Sequence, residues 1–233
     1  MSTRAEIDER VAKVGRWRHR IDVGSGVVTP GVENNVDELT RLMIPQDLVG
    51  KRVLDIGCSD GFYSFTAEER GATSVLAIDD ESSTLTSSNG FRAAASLRNS
   101  TARYEARDVE NLERERDGAF DLVLFINVLY HLPNPQRALE RIASVTDPGG
   151  LLVLKTYFQT DFRYWFRGRC IQFDFDRRPK WWYFPSQELG GDPTNWWGPS
   201  RSGLSGLLAA TGWTDIRTVA SKGDRLYLHA TRA

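Results

Sequence analysis

The stretch KRVLDIGCSDGFYSFTAEERG, residues 51–71, sets the architecture. Its first part, RVLDIG, is a short apolar run with β-branched residues that stops at Gly57, the pattern of a buried strand. Its second part, from Gly61 to Gly71, is rich in helix formers and ends on a glycine, as helices commonly do. A strand passing straight into a helix is one half of a βαβ unit. Glycines at such a turn let the backbone approach a ligand closely, and the helix start offers free N–H groups to an anionic end.

Working outward, the alternation continues. SVLAID (74–79) reads as the next strand, FRAAASLRNS (91–100) as a helix and ARYEARD (102–108) as a third strand. FDLVLFI (120–126) is wholly apolar apart from Asp121, the mark of a strand buried on both faces of a parallel sheet. PQRALERIASV (135–145) is an amphipathic helix, and after a turn at DPGG (147–150) the chain returns as the strand LLVLKTYF (151–158). Such order predicts right-handed crossovers and a mostly parallel, Rossmann-like α/β sheet with helices on both faces. Near the end, SGLSGLLAA (202–210) is a helix. WTDIRTVA (213–220) and DRLYLHATR (224–232) then form an antiparallel hairpin, because their link is too short for a crossover. Ahead of the sheet, Ile7, Val11 and Val14 recur at helical spacing within residues 2–17. Asp22–Asn35 is a loop, and Asp37 is placed to cap a short helix over 37–43.

One domain of 233 residues is expected: an N-terminal helical arm (1–50), a ligand-binding half (51–157), an aromatic insertion (158–198) and a C-terminal helix and hairpin (199–233). Thirty basic against thirty-one acidic residues leave a net charge of −1, so no field draws the whole molecule onto nucleic acid or a membrane. Two cysteines, Cys58 and Cys170, make no disulfide framework, and with three histidines they show no metal-ligand spacing. The polar start MSTRAEIDER lacks a signal peptide's apolar core and no run is long enough to span a bilayer, so a cytoplasmic protein, monomer or homodimer, is expected. Residues 157–197 stand apart, holding fourteen of the twenty-five aromatic residues, with Arg163, Arg167, Arg169, Arg177, Arg178 and Lys180 interleaved.

Two phosphate-binding readings of the glycine turn are weak. The dinucleotide fingerprint needs glycine at 59 and 62, where Ser59 and Phe62 stand, and the Gly-Lys-Ser/Thr ending of a P-loop is absent. Instead, VLDIGCSDGFYS (53–64) resembles motif I of the class I S-adenosylmethionine-dependent methyltransferases, with Ser59 in place of the middle glycine. That resemblance implies a cofactor site built on Asp55, Gly57, Ser59 and Gly61. It gives Asp79, twenty-two residues beyond Gly57, the two ribose hydroxyls, Asp108 the adenine amino group and Val109 the ring face. FDLVLFINVLYHL (120–132) resembles motif IV, whose end at Asn127 faces the donor methyl. WRHRIDVGSGVVTPG (17–31), NVLYHLPNP (127–135) and WWGPSRSGLSGLLAATGW (196–213) are similar to a narrower subgroup, related to the wobble-uridine tRNA carboxymethyltransferase, that also contains methyltransferases of small molecules. Members that use carboxylated S-adenosylmethionine set a lysine ahead of the fold against the extra carboxylate. Here that neighbourhood holds Glu33, Asn34 and Asn35, with no lysine between Lys13 and Lys51, so ordinary S-adenosylmethionine is expected.

The same resemblance implies in-line attack by an acceptor oxygen or nitrogen, with nothing requiring a metal. Tyr130 and His131 follow motif IV, where open α/β sheets gather ligands, and are the candidates for orienting the acceptor or removing its proton. The alternative for His131 is capping the helix that starts near Pro133. His19 is a candidate acceptor contact or a surface histidine; His229 reads as structural and Cys58 as a packing residue. The insertion is expected to be a lid whose Trp181 and Trp182 wall a small-molecule acceptor. A dimer face, a packed subdomain base and an RNA-stacking surface are its other readings. An RNA methyltransferase and a non-catalytic S-adenosylmethionine-binding protein stand as rivals to a small-molecule methyltransferase.

Overall fold

Strands that are apolar on both sides must be covered on both faces, and the computed structural model meets that demand with a seven-stranded sheet. It describes residues 3–33, 35–80, 88–166, 169–173 and 178–233; Ser2, Asn34, Arg167 and Arg177, named above, lie outside these. In chain order, α1 (Arg4–Val14) and α2 (Val36–Leu42) precede β1 (Arg52–Ile56), α3 (Phe62–Glu69), β2 (Ser74–Asp79), α4 (Ser88–Arg98) and β3 (Arg103–Ala106). The short α5 (Arg114–Asp117) leads to β4 (Phe120–Ile126), α6 (Pro135–Ser144) and β5 (Thr146–Tyr157). Two small hairpins follow, β6 (Phe162–Phe166) with β7 (Arg169–Phe173), then β8 (Trp181–Tyr183) with β9 (Trp197–Pro199). The chain closes with α7 (Arg201–Ala210), β10 (Trp213–Lys222) and β11 (Arg225–Arg232).

The sheet order is β10-β11-β5-β4-β1-β2-β3. From β5 to β3 neighbouring strands pair in parallel, and β11 and β10 close the other edge antiparallel. The period of two in each strand sorts side chains to opposite faces. Leu54 and Ile56 pack with Leu139 and Ile142 of α6 and Leu204 and Leu208 of α7. Val53, Leu122 and Leu124 pack with Leu42 of α2 and Tyr63 and Ala67 of α3. Ile7 and Val11 seat α1 against Phe65, Phe91 and Ala94 of α3 and α4. Among the described residues no helix is long and apolar enough to cross a membrane.

Three local readings are corrected. Helix α2 starts at Val36 with Asn35 at its N-cap, so Asp37 sits inside the first turn, where its charge favours the positive end of the helix dipole. The DPGG stretch is no free turn: it lies within β5 as a bulge, since Phe120 pairs with Thr146 and Leu122 with Leu151. Strand β3 stops at Ala106, and Asp108 instead caps the 3-10 turn Val109–Asn111, accepting from the Glu110 N–H at 2.7 Å. The insertion does not act as one unit. Phe162, Tyr164 and Phe166 form an exposed stacked stripe on β6, whereas Trp181 of β8 packs against the main core.

Candidate active site

Parallel pairing brings the carboxyl ends of β1 to β5 to one edge, with β1 and β4 adjacent at the point where the strand order reverses. In open α/β sheets a ligand crevice forms there. Gly57 continues β1 by donating to the Ile78 carbonyl at 2.8 Å. Gly57, Ser59 and Gly61 have φ of 70°, 50° and 90°, so the loop turns in the left-handed region three times in five residues. The glycines are needed for protein packing as well as for conformation: a Cβ at Gly57 would stand 2.3 Å from Val128 Cγ2, and one at Gly61 2.7 Å from the rings of Phe65 and Phe91. This twist aims the Ser59 N–H at Asp79 Oδ2, 2.7 Å away. Ser59 Oγ is buried with no protein partner.

Asp55 lies beneath the loop, 1% exposed, accepting from Ser64 Oγ of α3 at 2.6 Å. Burial, aided by the nearby Asp79 charge, pushes its carboxyl up to about 7 against the opposing Ser64 hydrogen bond. Asp55 therefore supports the loop from below. Asp79 and Ala106 are register partners at the ends of β2 and β3, which brings Asp79 and the exposed Asp108 to neighbouring strand ends. Val109 is buried in the main core. Asn127 follows β4 at φ 62°, its N–H on the Lys155 carbonyl at 2.9 Å and its Oδ1 buried without a partner. Asparagine is among the few residues that adopt this backbone readily.

Beyond Asn127 opens a pocket of about 230 Å³. The arm contributes Arg18, Glu33, Asn35 and Glu38; the strand ends contribute Asn127, Lys155 and Arg225, with Tyr130 from the turn after β4. The arm is hooked to the glycine loop by Asp60, whose Oδ2 accepts from the N–H groups of Arg18 and His19 at 2.5 and 2.9 Å. Lys155 is 7% exposed and pairs with Glu38 at 3.1 Å; burial draws its ammonium below the usual lysine value while Glu38 opposes. Burial resists ionisation of Glu38, yet the Tyr227 hydroxyl and Lys155 hold it below the usual carboxylate value.

Tyr130 is buried, and burial drives its phenol well above the ordinary range, so it is a hydrogen-bond donor and no base. His131 does not cap α6; Asn134 takes that position. Its Nδ1 lies 2.9 Å from the Thr194 carbonyl oxygen, which only an N–H satisfies. The proton therefore sits on Nδ1 and the lone pair on Nε2. Burial lowers the His131 pKa, against the Thr194 hydrogen bond and the Asp192 charge. Trp196 N–H donates to the Tyr130 carbonyl at 2.8 Å and Trp197 Nε1 to the Leu132 carbonyl at 2.9 Å. Residues 194–197 of the insertion thus bind the turn that carries Tyr130 and His131. Trp181 and Trp182 lie one strand away, and neither they nor His131 line the pocket, whose wall at this turn is Tyr130; Trp181 meets Trp197 edge-on at 6.1 Å between ring centroids.

His19 is no surface residue. It is 4% exposed against Phe62 and Tyr63, outside the pocket wall, and burial holds its pKa down at about 3, so it stays neutral. His229 is buried and bonds the Leu42 carbonyl at 2.8 Å, tying β11 to α2. Cys58 is buried in the core beside α3 and α4.

A family model described as a methyltransferase domain matches residues 31–218. The chain belongs to the methyltransferase-domain family. It is 37% identical over 112 residues to a tRNA U34 carboxymethyltransferase of Campylobacter hominis, covering 48% of this chain and 38% of that one. It is 31% identical over 158 residues to a ubiquinone biosynthesis O-methyltransferase of Xanthomonas oryzae pv. oryzae, covering 67% and 62%. The chain thus spans between about two fifths and three fifths of the length of these relatives. Among solved structures, the N-terminal domain of EvdMO1 in the presence of S-adenosylhomocysteine and D-fucose superimposes with a TM-score of 0.69 at 19% identity, over 100% of this chain and 98% of that one. At that identity the likeness speaks for the fold.

Proposed function

We propose that the chain transfers the methyl group of ordinary S-adenosylmethionine to an oxygen or nitrogen of a small polar acceptor, with His131 taking the acceptor's proton. Supporting this reading, the Ser59–Asp79 hook, Asn127 and the Tyr130–His131 turn all follow the carboxyl ends of the adjacent parallel strands β1, β2 and β4, and the Thr194 carbonyl holds His131 Nδ1 so that the lone pair is on Nε2. The donor set fits the cofactor. Asp79 offers a carboxylate able to accept from both ribose hydroxyls, and Asp108 stands at the next strand end for the adenine amino group. Ser59 Oγ and Asn127 Oδ1, buried and lacking protein partners, add polar contacts. When bound, the cofactor supplies a methyl group already activated by its sulfonium charge. The chain's own residues then align the nucleophile, exclude water and remove a proton. Tyr130 orients the acceptor as a donor, and the turn at 194–197 fixes the direction of His131.

A small acceptor is favoured by a pocket of about 230 Å³ and by the net charge of −1. The likeness to the Campylobacter hominis enzyme supports RNA as the second reading. Incubation with S-adenosylmethionine and a library of hydroxylated acids, phenols and sugars should release S-adenosylhomocysteine, and much less of it from His131→Ala. A chain that binds the donor yet never releases product would be a binding protein instead. Acceptor binding that weakens steeply with salt would favour RNA, through counterion release from phosphate.

A further inference from the structure

An isolated two-stranded hairpin is marginally stable in water and normally needs another layer against one face. Strands β6 and β7 pair with each other and, among the described residues, with no strand of the main sheet. Residues directly opposite in an antiparallel pair share a face, as do alternate residues of one strand. Phe162, Tyr164 and Phe166 of β6 therefore share a face with Ile171 of β7, the register partner of Tyr164. These four side chains are 47%, 51%, 51% and 40% exposed. The base of the hairpin is fastened to the body, because Lys180 Nζ bonds Asp161 Oδ1 at 2.5 Å while the Lys180 N–H donates to Ser200 Oγ at 3.1 Å.

The apolar area is large enough to matter. A half-exposed aromatic ring leaves about 100 Å² in water, so with Ile171 the stripe amounts to roughly 400 Å². That lies within the range of the largest apolar patch on an ordinary monomer, which is often functional. It is also about half of the roughly 800 Å² that each partner gives to a stable interface, a fitting size for an apolar centre inside a polar rim.

Symmetry selects the occupant. A two-fold interface needs a surface that fits its own image. The stripe Phe162-x-Tyr164-x-Phe166 reads the same from both ends. Its rings are nearly parallel, 9° and 19° apart, with centroid spacings of 6.5 and 6.4 Å on the two sides of Tyr164. A two-fold axis running across the strands at Tyr164 sets that ring on its own copy and Phe162 on the second copy's Phe166. Ile171, level with Tyr164, then meets its own copy as well. Charge agrees with this direction. Arg169 starts β7 opposite Phe166, and Phe173 ends it opposite Phe162. With the tip of one hairpin over the base of the other, the two Arg169 positions stand about 13 Å apart along the strands, the rise of four residues. That exceeds the screening length at physiological salt, whereas tip over tip would bring the like charges together.

We propose that the aromatic face of the β6–β7 hairpin is a homodimer interface, in which two copies of this chain pack face to face and antiparallel about a two-fold axis at Tyr164. The proposal goes beyond the methyl-transfer reading and is independent of it.

Sedimentation velocity of the full chain, from nanomolar to high micromolar concentration, should show a species of twice the chain's mass. Tyr164→Asp sets two like charges on the axis. It should raise the dimer dissociation constant by about thirtyfold or more, the loss typical of a central interface residue, with the melting curve of the monomer retained. Cysteine cross-linking reads the register directly and decides the matter if Tyr164→Asp fails to fold. In a Cys170→Ser background, where the remaining Cys58 is buried, Tyr164→Cys should join to itself under oxidation. Phe162→Cys and Phe166→Cys should join to each other when mixed, and far less to themselves. A wild-type chain that stays monomeric throughout, a dimer unchanged in folded Tyr164→Asp, or Phe162→Cys joining to itself as readily as to Phe166→Cys would overturn the proposal. So would a monomer that binds phosphatidylglycerol vesicles and loses them in Tyr164→Asp, which would give the stripe to a membrane instead.

Discussion

Single residues in this site differ in what their surroundings ask of them, and two can be separated by pH. His131 must be neutral to accept a proton, and burial keeps its pKa below the ordinary 6.5. The acid limb of kcat should therefore fall below pH 6.5. In His131→Ala that limb should vanish and kcat drop by about a hundredfold or more, the usual size of a general-base contribution. An unchanged limb in the variant would remove His131 from proton transfer. Asp55 titrates in the opposite sense. Its folded carboxyl is raised to about 7, above the roughly 3.9 of an unfolded chain, so the folded state binds more protons between those values. This group's contribution is fully present below the unfolded pKa and declines as pH rises toward about 7. Asp55→Asn, which retains an acceptor for Ser64, should narrow the difference in melting temperature between pH 5 and pH 8. If that difference is unchanged, the buried carboxyl is not protonated as described. Sequence reasoning reached Asp55, Gly57 and Gly61 as ligand-facing residues. The structure gives Asp55 to the loop's underside and both glycines' missing Cβ atoms to neighbouring side chains, a distinction that motif spacing does not carry.

At the level of elements, the insertion shows how composition misleads about position. An aromatic-rich segment predicts a cover, yet the β8–β9 hairpin and the loop within it act as a bracket for the Tyr130–Leu132 turn. Trp197→Phe retains the ring packing and deletes one hydrogen bond, worth about 0.5–1.5 kcal/mol. It should lower kcat through a looser His131 turn while leaving the dissociation constant for S-adenosylmethionine unchanged, readable by steady-state kinetics beside calorimetry. Loss of donor binding of the same size would place the hairpin in the cofactor site. The arm was legible as a helix from Ile7 and Val11, but its role at the pocket was not. Arg18 and Glu33 reach the strand ends on the loop that Asp60 hooks, a contact forty-two residues apart in sequence, and Glu38 arrives on α2, whose Leu42 is packed in the core.

For the whole molecule, the parallel sheet and its closing hairpin were readable because apolar period and turn chemistry agree along β1 to β5 and at Lys222–Asp224. The acids Asp79 and Asp108 were readable because each ends or follows its own strand. The residues of the charged pocket were not, because long-range pairing assembles them. Arg225 comes opposite Tyr157, and Lys155 opposite Tyr227, only when β11 folds back on β5. One signal was present: Lys155 is a lone cation in the apolar strand LLVLKTYF, and a charge placed there needs a partner or a task. Glu38 is that partner, and it arrives from the arm. The sheet thus brings two sets of groups to the same strand ends, the acids Asp79 and Asp108 and the charged wall that holds Lys155 and Arg225.

The central claim is that the crevice at the ends of β1 and β2 holds S-adenosylmethionine through Asp79. Calorimetric titration of the donor into the wild-type chain and Asp79→Ala tests it most directly, with melting curves of both to confirm the fold. Saturable binding by the wild type, weakened about ten- to a hundredfold in the variant, is the expected result. Equal affinity in the two folded proteins, or no binding by the wild type, would contradict the account.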